Sequence, residues 1–154
     1  MDREGVRTEE GTFVHALLAS DSERARGLME SLGDMPARGV FSGAFLVAVR
    51  RTFSPDVDVR EITAYVRAAA ARARVHGQRL GRREAEAAIR SGLGEIELVQ
   101  AMSPEDLFDT QFVLLELMAE DLGLTDDELV EFVREAEDLA AAIVNAHRSP
   151  DPTS

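Results

Sequence analysis

The side chains in this chain that could do chemistry are 3 His, 29 Asp/Glu and 17 Arg, and their spacing decides which chemistry is open to them. His15, His76 and His147 lie far apart, none has a second His at a chelating spacing, and there is no His-Glu-x-x-His zinc motif. His15 sits among apolar residues, where an imidazole packs. His76 and His147 fall where helices are expected to end, and a protonated ring there complements the negative end of the helix dipole.

The carboxylates are equally uncommitted. Glu116/Glu120 and Glu131/Glu135 are one helical turn apart, but a di-iron bundle site needs Glu-x-x-His on two helices and this sequence has none. The acids at 126–128 lack the glycine and the terminal glutamate of a calcium-binding loop. No Gly-x-x-x-x-Gly-Lys or Gly-x-Ser-x-Gly occurs, and there is no Lys anywhere for a P-loop or a Schiff base. Ser42 precedes Gly43, but no His stands near it in sequence. Zero Cys excludes thiolate nucleophiles, disulfides and Cys-ligated metals. The expectation is a protein that is not an enzyme, with no cofactor and no metal site.

The arginines carry more pattern. Arg60, Arg67 and Arg74 recur every seven residues, an interval that drifts only ~20° per step around an α-helix. They lie opposite the apolar stripe Ile62, Val66, Ala69 and Ala73, and Arg72, Arg79, Arg82 and Arg83 enlarge the positive area beyond them. Charge is segregated along the chain: Arg38 to Arg90 holds 11 Arg against 5 Asp/Glu, net +6. Glu95 to Asp138 holds 15 Asp/Glu against Arg134 alone, net −14. Glu131, Glu135 and Asp138 share one face of the last helix, away from Leu129, Phe132 and Leu139. Codon bias in a GC-rich bacterial genome explains Arg in place of Lys, and a solvated face explains charge that points outward. Segregation adds a further expectation, that the basic face (Arg60, Arg67, Arg74, Arg82, Arg83) and the acidic face (Glu131, Glu135, Asp138) bind partners. Exposed pairs contribute only ~0–1 kcal/mol each, so such faces direct partner choice and encounter rate more than affinity.

Helix punctuation sets the elements that position these groups, and no segment alternates with the period of a strand. A short apolar segment, Thr12 to Ala19, precedes a capping box at Ser20–Glu23 that opens a helix through Leu28, Met29 and Leu32, stopped by Gly33. Asp34 and Pro36 start a third helix, Ala37 to about Phe53, apolar on nearly all sides and therefore the expected buried centre. Gly39, Gly43 and Ala44 give it a small-residue patch for close packing. Asp58 and Glu61 cap a long Ala-rich helix to about His76, stopped by Gly77. A helix from Gly81–Glu84 carries Ala85, Ala88, Ile89 and Leu93, and Glu95–Ala101 reads as a short turn packing Ile96, Leu98 and Val99. Ser103-Pro104 starts a helix to Asp121, with Leu107, Phe108, Phe112, Val113, Leu115 and Met118 apolar and Gly123 closing it. Thr125–Glu128 is a second capping box, opening the final helix to about Ala146.

The fold expected is all-α, a single-domain bundle of six or seven helices around the central apolar helix at about residues 37–53. Residues 1–10 read as a flexible N-terminus, 11–148 as the bundle and 149–154 as a disordered tail. The charged N-terminus shows no secretory signal, and the longest apolar run, Val40 to Val49, is about half a membrane span. The location expected is cytoplasmic, with no membrane partner. The function expected is a non-catalytic protein-interaction or regulatory module, binding another protein or a second copy of itself. Two alternatives remain: a DNA-binding regulator using the Arg-rich middle, which a net charge of −12 disfavours, and a sensor or enzyme with a site inside the bundle.

Overall fold

Side chains at Thr8, Asp58, Ser103 and Thr125 supply hydrogen bonds that the first turns of their helices lack. A computed structural model describes residues 8–19, 27 and 37–148, and among them stand six α-helices, one 3-10 turn and no strand. In chain order these are α1 (Glu9–Leu18), α2 (Ala37–Thr52), α3 (Val59–Val75), α4 (Arg82–Gly92), the 3-10 turn Ile96–Val99, α5 (Pro104–Leu122) and α6 (Asp126–Arg148). The chain is an all-α bundle, as expected.

The Asp58 carboxylate accepts the Arg60 N–H at 2.8 Å to open α3, and the Ser103 hydroxyl accepts the Asp106 N–H at 3.0 Å to open α5. At α6 the box closes in both directions: the Glu128 N–H donates to the Thr125 hydroxyl at 3.2 Å, and the Thr125 N–H donates to the Glu128 carboxylate at 2.9 Å. Caps of this kind contribute about 1 kcal/mol each. Gly123 ends α5 at φ 59°, a left-handed conformation that costs glycine nothing. The box expected at Ser20–Glu23, the helix through Leu28 and Leu32, and the tail from Ser149 lie outside the described residues.

The described residues gather into two compact units. The first takes those up to Val47 together with those from Leu124 onward. In it α1 packs on α6, and Phe13, Phe41, Phe45 and Phe132 are fully buried, each worth about 1.5–3 kcal/mol in apolar burial. Gly43 of α2 lies against the backbone of α6, where an added Cβ would stand 2.6 Å from the Ala136 carbonyl oxygen. The small-residue patch thus does what its composition suggests: it brings two helix backbones together.

The second unit is Ala48–Gly123. Here α4 packs on α3, α5 and the 3-10 turn. The buried face of α3 is Ile62, Val66, Ala69 and Ala73, the four residues that the sequence spaces by four, three and four. Val49, at the end of α2, packs over Gly92 of α4.

Three expectations need adjustment. Helix α1 starts at Glu9 rather than Thr12, capped by Thr8, whose hydroxyl accepts the Gly11 N–H at 2.8 Å. Ile96 does not pack: it is 62 % exposed, because the 3-10 turn directs it to solvent. On α5 the buried face includes Leu114 and Leu117, while Leu107, Phe108 and Phe112 are only half-buried.

Candidate interaction surface

The arginines of the second unit divide into two groups. Arg72 is engaged: its Nη1 donates to both Asp121 oxygens at 2.8 and 3.0 Å, and its Nη2 donates to Glu120 at 2.6 Å. This two-carboxylate clamp fastens α3 to the end of α5. Arg90 is engaged as well, forking onto Glu95 with Nε at 3.0 Å and Nη2 at 2.8 Å. That fork ties the last turn of α4 to the loop before the 3-10 turn.

Protonation follows this geometry. Burial alone would lower the Arg72 guanidinium, but its hydrogen bonds to Asp121 and Glu120 outweigh burial and raise it. The hydrogen bond from Arg90 holds the Glu95 carboxyl below its ordinary range. Tyr65 donates to Asp121 at 3.3 Å and meets the Phe53 ring edge-on, with centroids 5.3 Å apart. Burial, then the Asp121 charge, push its hydroxyl well above the usual tyrosine range.

A second group of arginines points to solvent. Arg67, Arg74, Arg79, Arg82 and Arg83 are exposed and have no carboxylate partner among the described residues. Arg60 reaches only its own cap, Asp58, at 3.4 Å, with its side chain 92 % exposed. Arg60, Arg67 and Arg74 line the solvent side of α3, and Arg82 and Arg83 occupy the first turn of α4. Between the α3 arginines the same solvent side carries exposed Ala64, Ala68 and Ala71, and Val75 is 82 % exposed at its end.

The expected acidic face belongs to the first unit. Glu131, Glu135 and Asp138 are all exposed on α6, and Glu135 and Asp138 also have partners within the chain. One residue of this stretch escapes the sequence reading. Glu137 is buried, 5 % exposed, and its Oε2 accepts both the backbone N–H and the hydroxyl of Thr8 at 2.7 Å. The carboxylate lies over Gly11, where any Cβ would collide with it. A signal existed: Glu137 stands in the row Val130, Val133, Glu137, Ala140, Val144, the one acid in an otherwise apolar register. The Arg72 clamp was less visible, since no spacing rule links residue 72 to residue 121.

His15 is half-buried in the last turn of α1, and His76 is the exposed C-terminal cap of α3. No group of three or more His, Cys, Asp or Glu among the described residues could hold a metal ion. None of the described helices is long and apolar enough to cross a membrane. Comparison with protein families, with curated proteins and with solved structures finds no match to this chain.

Proposed function

We propose that this chain is a non-catalytic protein-interaction module whose working surface is the arginine face of α3 and α4. The observation that supports it is the contrast within one segment: Arg72 and Arg90 are consumed by internal ion pairs, while Arg67, Arg74, Arg82 and Arg83 are held outward with no carboxylate partner among the described residues. Free guanidiniums fixed on helices form a preorganised array of forked donors. The exposed acids Glu131, Glu135 and Asp138 provide a second surface of opposite sign, which allows a second copy as partner. The absence of Cys supports work in a reducing compartment such as the cytoplasm.

The test is differential capture. Wild-type protein and the triple variant Arg60→Glu/Arg67→Glu/Arg74→Glu, matched for helix content and melting temperature, are offered the same extract after nuclease treatment. A protein retained by the wild type at about 50 mM salt and absent from the variant supports the reading, since exposed charges are screened several-fold less there than at 500 mM. Identical retained proteins on both baits would refute it. Loss of all bound material on nuclease treatment would move the surface to nucleic acid. Light scattering of the purified protein at both salts reports whether the partner is a second copy.

A further inference from the structure

The arginine row has a register, and the register selects the shape of its partner. On α3, Glu61, Ala68 and Val75 are seven residues apart, as are Ala64 and Ala71. Written as a heptad these are a and d positions, and Arg60, Arg67 and Arg74 then fall on every g position. All eight residues are exposed, so the seam faces solvent on the side opposite the buried Ile62, Val66, Ala69 and Ala73. The e flank is different: Tyr65 and Arg72 are half-buried and engaged with Asp121. One flank of the seam is closed by internal pairing and the other carries three solvent-exposed arginines, of which Arg60 reaches only Asp58.

We infer that α3 seats an amphipathic helix of another protein, one with an apolar stripe flanked by Asp or Glu. The inference rests on the interaction-module reading above and specifies its partner. Charge at e and g positions sets which helix pairs with which, and a row of arginines at g calls for carboxylates across the seam. Val75 supplies the apolar anchor: a valine 82 % exposed beside Arg74 gains by being covered. The alanines only keep the seam shallow enough for larger side chains of the partner.

Two occupants within the chain itself fit less well. A second α3 would place Arg against Arg in the antiparallel pairing and Arg against Arg72 in the parallel one. The exposed ridge of α6 in a second copy carries Glu128, Glu131, Glu135 and Asp138 along its crest instead of beside an apolar stripe. It would press carboxylates onto alanine and valine, and desolvating them opposes docking.

The probe is a synthetic peptide of about three heptads with Leu at a and d and Glu at e and g, whose glutamates keep it from pairing with itself. A control peptide carries Lys at e and g. Fluorescence anisotropy of each labelled peptide against the full-length protein at low salt should show the acidic peptide binding about tenfold tighter or more, the scale of three exposed ion pairs. Arg60→Glu/Arg67→Glu/Arg74→Glu should invert that preference. The uncharged pair Ala68→Gln/Val75→Ser, which leaves every arginine in place, should weaken the acidic peptide several-fold. All five positions are exposed, so unchanged circular dichroism is expected and checks that the fold survives.

Equal binding of the two peptides overturns the inference. If the arginine variant abolishes binding and Ala68→Gln/Val75→Ser has no effect, the face binds acidic chains without seating a helix. In that case the interaction module stands and its helical partner does not. A self-complex detected by light scattering and lost in the arginine variant would likewise keep the module and replace the partner by a second copy.

Discussion

Glu137 and Asp121 are both carboxylates that tie one helix to another, and they do so in opposite settings. Glu137 is buried in the first unit and accepts two hydrogen bonds from Thr8, the residue that caps α1. Asp121 lies in the second unit with its side chain 42 % exposed, and it holds Arg72 and Tyr65 from α3. Away from water a carboxylate that receives hydrogen bonds is hard to replace, because its removal leaves donors unsatisfied. At the surface, water and salt take over most of what the ion pair contributes. The same chemical group therefore acts as a structural pin in one unit and as a modest clamp in the other.

The widest gap between the two settings should appear on truncation. Glu137→Ala strips the Thr8 N–H and hydroxyl of their shared acceptor, and about 2–3 kcal/mol should be lost in denaturant unfolding. The loss should be nearly independent of salt. A loss below that of Arg72→Gln would reverse the comparison.

Gly43→Ala sharpens it from the packing side. In an open helix the change would stabilise by about 0.5–1 kcal/mol. Here the new Cβ would meet the Ala136 carbonyl oxygen at 2.6 Å, a backbone atom that cannot swing aside. The expected result is a net destabilisation of about 1–2 kcal/mol. Gly27, with nothing within 4 Å of an added Cβ, is the control that should gain from the same substitution.

Arg72→Gln breaks the clamp to Asp121 and Glu120. Its side chain is 36 % exposed, so about 0.5–1 kcal/mol should be lost at low salt. The difference from wild type should shrink towards zero near 0.5 M salt, where the Debye length is only a few ångströms. A salt-independent loss would mean that Arg72 acts by packing.

The smallest effect is confined to alkaline pH. Tyr65 is the one tyrosine in the chain, so its ultraviolet difference absorbance titrates it alone. Its folded-state pKa is raised, by burial and then by Asp121. The unfolded chain therefore gives up the phenol proton first, near pH 10, while the folded chain retains it. This contribution to stability is complete below about pH 10 and is lost as pH climbs from there towards the folded value. Tyr65→Phe should flatten the fall in melting temperature across that window. Ionisation of the phenol at ordinary pH in the folded protein would contradict the Asp121 contact.

Helix identity was legible in the sequence because caps and stripes are local. Asp58, Ser103, Thr125 and Gly123 each act within four residues of themselves, and Ile62, Val66, Ala69 and Ala73 needed only the helical period to be read as one buried face. The exposed arginines of α3 followed from the same arithmetic, being opposite that stripe. Locality also explains the misses. Ile96 sits in an apolar run that reads as packed, and a 3-10 turn places it outward. Helix α1 begins before the expected Thr12, and the acceptor that holds its cap Thr8 is 129 residues away in sequence.

The sequence by itself determined the all-α class, most helix limits, the segregation of charge and the arginine register. These follow from hydrogen bonding and periodicity between near neighbours. Only the tertiary structure decided which charges are spent. Arg72 and Arg74 are two residues apart with the same guanidinium, yet one meets two carboxylates of α5 and the other meets solvent. Whether a charge stays available to a partner depends on which helix packs beside it, and that choice belongs to the burial of the apolar faces.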